Sequence, residues 1–198
     1  DWSSDVCSSD LYGAARIPKG CTVEDWPFGH EELEPYYDKC EYEIGISGKA
    51  GNIRGKIDNR GNIFEAPRAR EYPMPPLRGT EFTDFMGGVA KKLGWAPFPG
   101  PAAINSVTYD KRAPCMYHGY CNRGGCHVEA KSSTAVSTIP KALATKRLQV
   151  VTRAHVLKVE VDEKTARVTG VTYLKDGVEY FQPAKVVLIA GYTYENVR

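Results

Sequence analysis

The chain has 198 residues, 42% of them apolar, and 26 Lys+Arg against 24 Asp+Glu, for a net charge of +2. That balance argues against a strongly basic nucleic-acid binder and against an acidic tail. The apolar and aromatic content is too high for a disordered chain, and no run of about 18 apolar residues exists to form a membrane-spanning helix.

The chain opens Asp1-Trp2-Ser3-Ser4-Asp5-Val6-Cys7-Ser8-Ser9-Asp10-Leu11, with no Met and no secretory pattern. These eleven residues match the translation of a short-read sequencing adapter, so residues 1–11 are set apart from the fold. Without them three Asp and Cys7 go, leaving 26 basic against 21 acidic residues, a charge of +5, and five of the six Cys. The end, Glu195-Asn196-Val197-Arg198, carries no turn or stop signal. The expectation is an internal piece of a longer protein.

Residues 12–30 are turn-rich. Residues 31–44 read as a helix, with Leu33, Tyr36, Tyr37, Cys40 and Ile44 spaced three to four apart and Glu31, Glu32 and Glu34 at its start. Pro35 suits only the first turn, and Gly45 is a stop. Residues 45–79 are loop-like, studded with Gly and Pro, and their aromatic content favours an ordered lid. A helix is predicted over 80–93, with Phe82, Phe85, Met86, Val89 and Leu93 on one face. Pro97, Pro99 and Pro101 then force an extended connection. Residues 130–146 read as one helix or a kinked pair, Pro140 marking a kink or a fresh start.

From residue 148 the pattern changes to strands. Residues 148–152 are short and apolar, 155–162 alternate, 167–174 are rich in β-branched residues, and Asp176-Gly177 turns the chain into 178–182. Residues 185–190 form an apolar run suited to a strand buried on both faces of a parallel sheet. The fold class is α/β, an α+β fragment in which a meander of three strands crosses between two strands of a parallel sheet. A free-standing antiparallel domain is the alternative.

The chemically loaded stretch is Cys115-Met116-Tyr117-His118-Gly119-Tyr120-Cys121-Asn122-Arg123-Gly124-Gly125-Cys126-His127. Its spacing leaves four readings open: a zinc site from Cys115, His118, Cys121 and Cys126, an iron–sulfur cluster on the three thiolates, a disulfide, or a tight loop whose Cys pack as small apolar groups. No dinucleotide-binding glycine fingerprint, phosphate loop, zinc-protease helix or nucleophile elbow occurs. His30 and His155 stand alone, and His155 on a strand reads as structural.

Several stretches together resemble the glucose–methanol–choline (GMC) family of FAD-dependent oxidoreductases, in its gluconate 2-dehydrogenase flavoprotein-like branch. They are Trp26-Pro27-Phe28, Leu33-Glu34-Pro35-Tyr36-Tyr37-Asp38, Ile44-Gly45-Ile46-Ser47-Gly48, Phe64-Glu65-Ala66-Pro67-Arg68, Tyr72-Pro73-Met74-Pro75-Pro76-Leu77, the Gly119–Ser133 cysteine stretch, and Val186–Gly191 with Thr193-Tyr194-Glu195-Asn196. The resemblance covers about residues 20–198. One departure is His118, where relatives often carry a Cys before the glycine; it leaves three thiols for any cluster.

The resemblance implies part of an FAD-binding Rossmann-like domain plus part of a substrate domain. Residues 12–105 would be the substrate-domain or lid segment, 106–147 the Cys-rich loop and helix, and 148–198 the FAD-domain strands with the meander. It implies oxidation of a CH–OH group of a sugar, sugar acid or other alcohol by hydride transfer to flavin. The family's base lies beyond Arg198 and its glycine fingerprint before residue 12, so the piece alone is not expected to turn over. Val156 matches the strand residue whose backbone meets the adenine, and Ala190 and Gly191 match the strand end beside the dinucleotide. The implied partners are a small-molecule alcohol or sugar and an electron-acceptor subunit such as a cytochrome, with no nucleic acid. Cys115, Cys121 and Cys126 are the candidate metal ligands, and the compartment stays open.

Overall fold

The computed structural model describes residues 19–20, 27–119, 121 and 124–197. The adapter-like residues, Trp26, Tyr120, Asn122 and Arg123 lie outside the described residues. The chain divides into two compact units between Thr145 and Lys146.

In the first unit, α1 (His30–Ile44) starts at an extended Gly29 and places Glu31 and Glu32 in its first turn, where the helix dipole favours acid. Gly45 ends it at φ 84°, donating its N–H to Glu41 O. Because the helix begins at His30, Pro35 sits in the second turn, deeper than its pattern suggests, and Glu31 O loses its intrahelical donor there. The expected apolar stripe is not the docked face: Tyr36, Tyr37 and Cys40 are exposed. The helix instead rests on Glu34, Asp38 and Glu41, which meet residues 68–70.

Residues 45–79 contain only β1 (Asn52–Ile53) and β2 (Lys56–Ile57), an antiparallel pair turned by Arg54 at φ 52° and Gly55 at φ 84°. Yet this segment supplies much of the described burial: Ser47, Ala50, Asn52, Tyr72 and Met74. Its backbone pairs by single bridges, Ser47 with both Met74 and Ala102, Ala50 with Asn62, and Ile53 with Arg68. At the Ala50–Asn62 contact two glycines let the chain cross itself. A Cβ on Gly51 would lie 2.3 Å from the Asn62 backbone, and one on Gly61 2.4 Å from the backbone of residues 49–51.

The helix predicted over 80–93 is α2 (Glu81–Lys92). Thr80 and Thr83 form a reciprocal capping box at its start, and Lys91 and Lys92 complement its C-terminal end. No residue of α2 is buried; Phe82 is 70% and Phe85 66% exposed. Further on, α3 (Thr138–Ala144) places Pro140 at its third position, so Pro140 marks a fresh start and not a kink in a longer helix.

The second unit contains β3 (Ala154–Asp162), β4 (Arg167–Lys175) and β5 (Val178–Pro183) in an antiparallel sheet of that order. Asp176 at φ 49° and Gly177 at φ 80° make the tight turn expected of that pair. Register shifts fall between Val156 and Lys158 and between Glu160 and Val161. The short α4 (Thr193–Val197) follows. The apolar runs 148–152 and 185–190 are not strands here. A strand exists through the ladder it makes with a neighbour, and no parallel partner occurs among the described residues of this unit. Val186 and Leu188 accordingly remain more than 80% exposed.

Candidate functional site

Two regions carry the residues singled out by sequence, one in each unit. In the second unit Val156 lies on β3, an edge strand, so the backbone groups on its outer side have no ladder partner among the described residues. Its side chain shares a cross-strand row with Tyr173 of β4 and Tyr180 of β5. Those two rings stack with centroids 5.5 Å apart. Val156 is half-exposed, and the register shift just after it leaves an extra residue beside the row.

Ala190 and Gly191 precede α4. The Gly191 N–H donates to Asn196 Oδ1 at 2.8 Å, and a Cβ there would make only ordinary contacts, so no neighbour demands its small size.

In the first unit the cysteine stretch is tied from both sides. The Cys115 N–H donates to Asn105 O at 2.8 Å, and Cys115 Sγ accepts from the Tyr117 N–H. Tyr117, at φ 57°, accepts from the Arg78 N–H and lies under the Arg78 guanidinium. Lys131 Nζ donates to Cys121 O and Gly124 O. His118 and His127 stack with centroids 4.9 Å apart and planes nearly parallel.

Cys115, Cys121 and Cys126 are free, half-buried thiols. The backbone N–H of Lys131, helped by those of Val128 and Ala130 and by the Lys131 charge, holds the Cys126 thiol below its ordinary pKa. No group of three or more metal-ligating side chains is gathered among the described residues. Among the described residues the three thiols are thus not gathered into the shared ligand set that a zinc or iron–sulfur reading requires.

Sequence reasoning gave no role to the polar core that supports this stretch. Asn105, fully buried, donates from Nδ2 to Tyr109 O and Arg112 O. Arg112, 6% exposed, donates to Ile44 O, Glu129 O and Ser132 Oγ at 2.9–3.1 Å. It thereby joins the end of α1 to the far end of the cysteine stretch. The turn between them runs through Asp110 at φ 49° and Lys111 at φ 62°, without the glycine that would have flagged it.

The carboxylates of Glu65 and Glu71 were equally silent in sequence. Glu65 Oε1 accepts from the Gly51 and Asn52 N–H groups, and burial nonetheless raises its pKa. Glu71 is pushed up by burial too, but Lys49 Nζ and the Ala50 and Tyr72 N–H groups outweigh this and leave it below its ordinary value. The N–H groups of Ala50, Gly51 and Asn52 that the two carboxylates accept from lie 13 to 21 residues away, which no local pattern announces.

The family model for GMC oxidoreductase matches residues 86–196, a span that takes in both the cysteine stretch and the meander. The chain is 32% identical over 94% of its length to the gluconate 2-dehydrogenase flavoprotein of Pantoea cypripedii. It is 28% identical over 84% of its length to the fructose dehydrogenase large subunit of Gluconobacter japonicus, and 30% identical over 71% to the paromamine 6'-oxidase of Streptomyces fradiae. It spans 32%, 29% and 23% of those three relatives, respectively.

Proposed function

The chain belongs to the GMC oxidoreductase family, and from that premise we propose that it forms part of an FAD-dependent dehydrogenase oxidising a CH–OH group of a sugar, sugar acid or other alcohol. The observation that carries this reading is the family match across 86–196, joined to relatives named for gluconate and fructose. An alcohol carbon becoming a carbonyl gives up a hydride and its oxygen a proton, and bound FAD supplies the hydride acceptor.

In this reading residues 148–198 belong to a Rossmann-like FAD domain, with the meander as a crossover. The runs 148–152 and 185–190 become strands once parallel partners from the rest of the protein lie beside them. Their double-sided apolar character and present exposure support that assignment. Val156 offers edge-strand backbone to the adenine, and Ala190 and Gly191 leave room for the dinucleotide. Residues 12–105 act as substrate-domain and lid, excluding water from the reacting centre. Electrons leave to an acceptor subunit such as a cytochrome. The scattered thiols do not fit an iron–sulfur cluster, and the reading rests on the flavin alone.

The test is absorbance of the full-length purified protein. A flavin spectrum that bleaches anaerobically with gluconate, fructose or another polyol supports the proposal. A colourless protein that takes up no FAD would sink it.

A further inference from the structure

α1 is fastened in two different ways along its length. Glu34, Asp38 and Glu41, at i, i+4 and i+7, share one face. Glu34 accepts from the Ala69 N–H at 2.7 Å. Asp38 takes a bidentate contact from Arg70, both bonds 2.7 Å, and Glu41 takes another from Arg68. The two guanidiniums also lie over rings, Arg70 over Tyr42 and Arg68 over Tyr72. The ion pairs grade outward: Arg68 and Glu41 are mostly covered, whereas the Arg70 side chain is 52% exposed.

No residue of α1 is buried. Apolar burial, which added salt does not weaken, is therefore only partial in this contact, with Leu33, Tyr42 and Ile44 half-buried. The C-terminal end is held differently, by part-buried hydrogen bonds alongside the half-exposed Glu43–Lys141 ion pair. Tyr42 OH donates to Glu71 O, Tyr109 OH donates to Tyr42 O, and Arg112 donates to Ile44 O before the chain turns at Gly45. Pro35 removes one rung of the helix's own ladder, so a detached fifteen-residue helix would not hold itself together in water.

We propose that α1 is a salt-released strap: residues 34–41 come off residues 68–70 as ionic strength rises, turning on the Gly45 end while the core beneath stays folded. The outer Asp38–Arg70 rung yields before the inner Glu41–Arg68 rung. The proposal is independent of the enzymatic reading.

Hydrogen exchange read by mass spectrometry, at about 0.05 M and about 1 M sodium chloride, tests it. Amides 36–41 should exchange at least about tenfold faster in high salt, with residues 46–52 and 72–74 unchanged. Unchanged exchange in α1, or equal loss in all three segments, overturns the proposal. Asp38→Asn and Arg70→Gln should each give fast exchange at both salt concentrations. The charge-swapped pair Asp38→Arg with Arg70→Asp should restore the protection and its salt dependence. Single variants as protected as the parent would also overturn it.

Discussion

In residues 45–75 the backbone makes two strands of two residues each, yet Ser47, Ala50, Asn52, Tyr72 and Met74 are buried there. In α2 all twelve residues are regular and capped at both ends, and none is buried. Regularity is thus settled locally, by the Thr80–Thr83 capping box at the start of the helix. Burial is settled by partners distant in sequence, and in the irregular segment those partners are largely polar. Ser47, Asn52, Asn105, Arg112 and Ser137 are buried beside few apolar residues. A core of this kind is held chiefly by hydrogen bonds, although Asn105 Oδ1 and Arg112 Nε have no partner among the described residues, and it loses heavily when one partner goes.

The contrast breaks most sharply at Arg112. Arg112→Ala leaves Ile44 O, Glu129 O and Ser132 Oγ without their donor, and urea unfolding should show a loss of about 4 kcal/mol. A loss under 1 kcal/mol would mean the polar core is incidental. Next comes Met74→Ala, which empties a site 1% exposed and should cost about 3 kcal/mol in the same assay.

The two carboxylates of the segment sharpen the picture through pH. Ionised Glu71 has a folded pKa below its ordinary value, so its stabilisation is present above the carboxylate range and lost as pH falls through that folded pKa. Glu71→Gln should cost about 1 kcal/mol at neutral pH, a deficit that closes on acidification. Glu65 has the opposite sign. Its folded pKa is raised, so the fold favours the protonated form, and that advantage fades as pH rises through it. Glu65→Gln keeps an acceptor for Gly51 and Asn52 and should raise neutral-pH stability by about 0.5 kcal/mol. Thermal scans of both variants from pH 3 to pH 7 should diverge at neutral pH and converge in acid. Parallel curves would contradict the assignment.

Effects of similarly small size belong to α2. Thr80→Ala should cost about 1 kcal/mol by removing the cap. Phe85→Ser should change stability by no more than about 0.5 kcal/mol, since its ring is exposed. If Phe85→Ser costs far more in the full-length protein than in this chain, the apolar face of α2 is covered there.

The same contrast explains what could be read in advance. The meander was legible because alternation and the Asp176-Gly177 turn are local. The bounds of α2 were legible from Thr80 and Gly94. The docked face of α1 was not, because the apolar stripe through Leu33, Tyr36 and Tyr37 drew attention from carboxylates whose partners are 27 to 35 residues away. The runs 148–152 and 185–190 could not be settled either, since an apolar run becomes a strand only with neighbours. At the cysteine stretch, spacing measured what was near in sequence. The turn at Tyr117, between the first two thiols, takes a positive φ without being a glycine.

The crossing of Gly51 and Gly61 has a consequence for how substitutions combine. Each glycine leaves room for the other's strand, and an alanine at either forces the two backbones apart. Once they have separated, a second alanine meets a gap that already exists. The two positions should therefore be strongly non-additive, the double variant scarcely less stable than the worse single one. A chain drifting through neutral changes would then either keep both glycines or lose the need for both together.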